Sequence, residues 1–136
     1  MIVVDTNIIA YLLIRGEQTL LARRVWDIDS DWRVPILWRH EFLNVLANAG
    51  KFRKTDFAVL AHLWTDAQRL LSHAEHDVDM LQALQLAVLN QKSAYDAHYV
   101  ALAADLDVPL ITEDRRLRQS FPDRCLSMQG FCESAS

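Results

Sequence analysis

The 136-residue chain is long enough for one buried core, and 51% apolar against 24% charged residues excludes a disordered segment. A formal charge of −4 excludes the surface-wide basic footprint of a passive nucleic-acid clamp, but not an enzyme with a local basic rim around an acidic, cation-covered centre. The longest apolar run, Ile8 to Ile14, is too short to span a bilayer and the start lacks a basic n-region, so a soluble cytoplasmic protein is expected.

The first segment, Ile2 to Val4, reads as a buried strand that is interrupted at Asp5, followed by the polar Thr6 and Asn7. An ionised carboxylate there needs a partner, and no basic residue precedes Arg15. A helix is expected from Glu17 to about Asp29, with apolar residues at Leu20, Leu21, Val25 and Ile28. A short strand at Arg33 to Pro35 leads to a second helix, Leu37 to Ala49, stopped by Gly50. Asp56 to Leu71 is a third, and Asp79 with Gln82 forms a capping box that opens a fourth. A fifth helix runs from about Tyr95 to Leu106, a strand at Pro109 to Ile111 follows, a short helix comes after Thr112, and Cys125 to Ser127 is the last strand. With only three Gly and three Pro, no repeat and no linker, the alternation predicts an α/β unit: a small parallel sheet wrapped by helices. Cys125 and Cys132 lack a second pair to complete a zinc motif and read as free thiols.

Four acids stand out against this pattern. On a helical wheel His98 and Asp105 lie within about 20° of each other, while Asp96 falls on the opposite side among Val100, Ala103 and Ala104. A helix cap is the ordinary reading of such an Asp, yet Ser93 is available for that role. Glu41 shares a stripe with Asn44 and Asn48 at the edge of an apolar face made by Phe42, Val45, Leu46 and Ala49. After the strand that ends at Ile111 come Thr112, Glu113 and Asp114, where either acid, or Thr112 itself, could cap the next helix. Taken singly each has an ordinary explanation. Together, Asp5 and Asp114 sit just past strand ends, where open α/β sheets gather functional groups, and Asp96 and Glu41 could face the same crevice. Converging carboxylates repel unless a cation is present, and an oxygen-rich set without Cys or paired His suits Mg²⁺ or Mn²⁺.

With "VVDTN" at Asp5, Thr6 and Asn7, "HEFLNVL" at Glu41, "SAYDAHYVALA" at Asp96 and "LITED" at Thr112 and Asp114, the chain resembles the PIN-domain family. Its length and start are similar to the VapC-type toxins of bacterial and archaeal toxin-antitoxin pairs. The resemblance implies a single PIN-like nuclease domain over residues 1–136, with a three-layer α/β/α fold and a central parallel sheet. It implies a metal-dependent endoribonuclease, forming a homodimer and held inactive by a cognate antitoxin. Asp5, Glu41, Asp96 and Asp114 would hold one or two Mg²⁺ or Mn²⁺ ions and carry catalysis, with Glu113 an alternative to Asp114. Thr6, Asn7 and Thr112 would orient the carboxylates or a water, and hydrolysis would leave 5′-phosphate and 3′-hydroxyl ends.

Arg115, Arg116 and Arg118, and less strongly Lys51, Arg53 and Lys54, are candidates for the substrate's other phosphates. Trp26, Trp38 and Trp64 read as core, and the five histidines lack zinc spacing. A non-catalytic RNA- or protein-binding module is the main rival, and the four mutually repelling acids argue against it. A haloacid-dehalogenase-like phosphatase needs a second acid two residues after the nucleophile, where this chain has Asn7.

Overall fold

The computed structural model describes residues 1–135, and in them five parallel strands and eight helices form a three-layer α/β/α unit. The strands are β1 (Ile2–Val4), β2 (Trp32–Pro35), β3 (Glu75–His76), β4 (Leu110–Ile111) and β5 (Cys125–Leu126), in the order β3-β2-β1-β4-β5. Val3 at the centre aligns with Arg33 on one side and Leu110 on the other. The chain runs outward from β1 to β3, then returns to β4 and β5, so the order reverses between β1 and β4. Ligands of open parallel sheets bind beyond the carboxyl ends of the strands flanking such a reversal.

Alternating side chains explain why "IVV" carries no polar position: both faces of β1 are covered. Ile2 and Val4 pack on one side with residues of α1 (Thr6–Leu13), α2 (Thr19–Ile28), α3 (Trp38–Phe52), α4 (Phe57–Leu71) and α8 (Met128–Ser134). Val3 points the other way, into a cluster with Tyr99, Val100, Leu102 and Ala103 of α6 (Ala94–Leu106) and Leu117 of α7 (Arg115–Ser120). Helix α5 (Met80–Asn90) packs on α6 through Ala83, Ala87, Ala97 and Ala101, small residues that let two helices approach closely. Trp38, Phe42 and Trp64 stack within the first layer, and Trp26 meets Trp32 edge-on, so these indoles are structural.

Several expectations need correction. The run Ile8–Ile14 gave no period to read, and it forms most of α1, which turns its apolar residues into the first core layer. Gly50 does not stop its helix, which continues to Phe52. A Cβ at Gly50 would stand 3.0 Å from Leu60 Cδ1, so this glycine permits the close approach of α4. The chain turns after α3 at Lys54, which takes the left-handed conformation with φ 53°. Strand β3 was not expected, because Glu75 and His76 carry no β signature and pair only because they lie beside β2. Helix α8 was not expected either; Ser127, read as strand, caps it by accepting from Gly130 N–H at 2.9 Å. Cys125 and Cys132 are buried free thiols, and burial pushes the Cys125 thiol up to about 11. Among the described residues no helix is long and apolar enough to cross a membrane.

Candidate active site

A cavity of about 270 Å³ opens at the carboxyl ends of β1 and β4, lined by Asp5, Glu41, Asp96 and Asp114 with Thr6, Asn7 and Tyr99 among its walls. Residues up to 109 positions apart in sequence thus meet at the reversal of the strand order.

Asp5 follows β1 and caps α1: Oδ1 accepts from Ile8 N–H at 3.3 Å. Its Oδ2 accepts from the hydroxyl of Thr112, a side chain with 0% exposure. That hydroxyl in turn accepts from Asp114 N–H at 3.1 Å, so Thr112 ties the β1–α1 turn to the β4–α7 turn. Hydrogen bonding does not compensate for desolvation: burial, with a smaller contribution from Glu41, pushes the Asp5 carboxyl up from 3.8 to about 6. The partner that the sequence demanded for Asp5 is therefore only partly supplied by the chain.

Glu41 stands in the first turn of α3, where the positive end of the helix favours its charge. Tyr99 donates to its Oε1 at 2.6 Å, and Thr6 Oγ1 lies 3.1 Å from the same oxygen and 2.6 Å from Tyr99 Oη. This triangle joins α1, α3 and α6 and fixes the carboxylate, while Oε2 has no hydrogen bond among the described residues. Burial and the Glu41 charge raise the Tyr99 phenol well above its ordinary value, which keeps it a donor. Tyr99 was missed in the sequence; its position three residues after Asp96, on the same side of α6, was the available signal.

Asp96 lies in the first turn of α6, and Ser93 is the cap, accepting from Asp96 N–H at 3.0 Å. The Asp96 side chain is half-buried; desolvation and the neighbouring Asp114 raise its pKa against the pull of Ser93 and Lys92. Asp114 caps α7, its Oδ1 accepting from Leu117 N–H at 3.1 Å, a role for which Thr112 had been an alternative. Glu113 turns away: Oε1 accepts from Met128 N–H at 3.3 Å and Oε2 lies 3.5 Å from the Arg118 guanidinium. Arg118 also donates to the Thr112 carbonyl at 2.9 Å, so it braces the β4–α7 turn and is spent as a phosphate contact. Arg115 and Arg116 remain exposed.

The donor set is all oxygen, with no thiolate or imidazole lining the cavity, and it suits a hard divalent cation. Among the described residues no three of Asp, Glu, His and Cys already close around one point. The fit is that of an ion which keeps several waters and takes one or two carboxylates directly, the habit of Mg²⁺.

The PIN domain family model matches residues 2–120. Ribonuclease VapC3 of Pyrobaculum aerophilum is 32% identical over 125 residues, which span 89% of this chain and 95% of that protein. The crystal structure of PAE2754 from Pyrobaculum aerophilum has the same fold, with a TM-score of 0.75 at 19% identity over 98% of this chain and 95% of that one.

Proposed function

Because the chain belongs to the PIN domain family, we propose that it is a divalent-metal-dependent endoribonuclease, the toxin of a toxin-antitoxin pair, acting as a single nuclease domain in the cytoplasm. The similarity to Ribonuclease VapC3 supports the substrate class. One observation carries the chemistry: the acids that resemble the family motif line one cavity in which two of them, Asp5 and Asp96, are held above their ordinary pKa by burial and, to a smaller extent, by the neighbouring acids Glu41 and Asp114.

Asp5, Glu41, Asp96 and Asp114 would hold Mg²⁺ or Mn²⁺, one or two of them directly and the others through water. When bound, the cation supplies Lewis-acid chemistry and neutralises charge at a phosphodiester. The residues do the positioning. Thr112 and the Ile8 N–H fix both oxygens of Asp5. Tyr99 and Thr6 fix one oxygen of Glu41, leaving the other for the cavity. Asn7, exposed at the cavity edge, would orient a carboxylate or the attacking water. Hydrolysis leaves a 5′-phosphate and a 3′-hydroxyl.

A homodimer is part of the reading. Helix α5 carries no charged residue, and Leu81, Leu84 and Val88, which share one stripe, are 78%, 55% and 69% exposed. A charge-free apolar stripe is complementary to its own copy across a two-fold axis. Leu84→Asp should halve the mass measured by light scattering; an unchanged mass assigns the stripe to another partner, of which the cognate antitoxin is the first to test.

The experiment is RNA cleavage by purified protein with Mg²⁺, with Mn²⁺ and with chelator, beside Asp5→Asn and Asp96→Asn. Cleavage by the wild type alone, abolished by chelation, is the expected result. Equal cutting by the variants removes the roles assigned to these acids. RNA binding without cleavage favours the non-catalytic module.

A further inference from the structure

The acidic cavity continues into a second groove. Asn7 and Val45 line both, and the second, about 360 Å³, extends along α1 to Tyr11 and Arg15 and reaches Arg53 at the end of α3. A third hollow adjoins it through Val45 and Arg53, with Asn48 and Phe52 on its wall. Helical spacing makes this a track. Asn7, Tyr11 and Arg15 recur at four-residue intervals on α1 and just past its end, and Glu41, Val45, Asn48 and Phe52 form a stripe along α3. Asp5 caps α1 and Glu41 lies in the first turn of α3, and an arginine follows the end of each helix, Arg15 and Arg53.

Neither arginine is spent inside the protein. Arg15 and Arg53 are exposed, and among the described residues no ion pair or side-chain hydrogen bond engages either guanidinium. Glu17 on the same rim is the one acid of the groove. Phe52 is 80% exposed at the groove's far wall, an aromatic face with no core to fill. From Asn7 to Leu13, the last residue of α1, about six residues at 1.5 Å rise span about 9 Å, on the order of three stacked nucleotides at 3.4 Å each, and Arg15 lies just past that end.

Resting on the nuclease reading, we propose that the α1–α3 groove carries the RNA strand on one side of the scissile phosphodiester. Arg15 and Arg53 contact its phosphates and Phe52 stacks on a base. A single strand fits this combination: an electrostatic track follows the backbone and a π-face accepts any base. The plainer role for both arginines is to sit favourably at the carboxyl ends of α1 and α3, which stabilises a helix without touching substrate. Salt dependence separates the two, because phosphate contacts release counterions and helix-end charges do not.

The test uses full-length Asp96→Asn protein, so that the probe stays intact, and a labelled mixed-sequence single-stranded RNA about 12 nucleotides long, whose sequence-independent binding is electrostatic. Affinity is measured against salt concentration, with and without Arg15→Ala plus Arg53→Ala. Two lost phosphate contacts should reduce the slope of log affinity against log salt by about 1.4, the single-strand value being about 0.7 per phosphate. Arg15→Lys plus Arg53→Lys should restore most of the slope, and Phe52→Ala should weaken binding with the slope unchanged. An unchanged slope in the double Ala variant, at unchanged melting temperature, overturns the groove assignment. If the wild type still cleaves RNA, the nuclease reading survives that result. If it neither binds nor cleaves RNA, both fall. Unaltered RNA affinity together with lost binding of a protein partner would give the groove to that partner and also overturn the assignment.

Discussion

The turn after β1 and the turn after β4 use one device in two settings. Each ends a central strand with an acid that caps the next helix, Asp5 accepting from Ile8 N–H and Asp114 from Leu117 N–H at similar lengths, 3.3 and 3.1 Å. Asp114 is exposed, and water supplies the rest of its solvation. Asp5 lines the cavity but is more enclosed, and although it has an additional donor in Thr112, burial outweighs its hydrogen bonds and holds its carboxyl near 6. The same local geometry is therefore ordinary at one turn and costly at the other. That cost is what a bound cation would relieve.

Substitution at the two turns should break this pairing unequally. The largest effect belongs to Asp5→Asn, which should abolish RNA cleavage and yet stabilise the cation-free protein. The sign follows from linkage: the folded carboxyl titrates near 6 and the unfolded one near 3.8, so the folded state binds more protons in between. Stability of the wild type in chelator should fall as pH rises from about 4 to 6, by about 3 kcal/mol from this group. Asp5→Asn removes that slope, which denaturant melts of the two proteins across the same pH range would reveal. Chelation near neutral pH should lower the wild-type melting temperature and move that of Asp5→Asn less.

Thr112→Val sharpens the comparison by uncoupling the turns. It strips Asp5 of a donor and leaves Asp114 N–H without its acceptor, so a loss of about 2 kcal/mol in denaturant melts is expected. Tyr99→Phe should cost about 1.5 kcal/mol by removing the bond to Glu41, with weakened metal affinity as the accompanying sign. The smallest effect belongs to the exposed turn: Asp114→Ala loses a cap for about 1 kcal/mol, and Asp114→Asn, which can still cap, should melt like the wild type.

The sequence made the acids visible and hid what separates them. Asp5 and Asp114 both read as an acid after a strand; that Thr112 spans from one to the other depends on β1 and β4 lying side by side, a fact of strand order. The parallel α/β architecture was legible from alternating apolar segments, because strands and helices with one buried face carry their period in the chain. Helix α1 escaped because "IIAYLLI" is apolar at every position and fits either period, and β3 escaped because a two-residue edge is set by its neighbour. Gly50 misled for the opposite reason: its missing Cβ serves packing against Leu60, not a turn. Tyr99 had no reading from the sequence, because its ring belongs to the core and its role at the cavity rests on the hydroxyl that donates to Glu41.

Mn²⁺ binding by titration calorimetry, at about pH 7.5, above the value of about 6 at which Asp5 titrates, measures directly whether this cavity is a cation site. Saturable binding of one or two ions by the wild type, weakened at least about tenfold by Asp5→Asn and by Asp96→Asn, is the result expected. Binding of equal affinity in all three proteins, or in none, would contradict it.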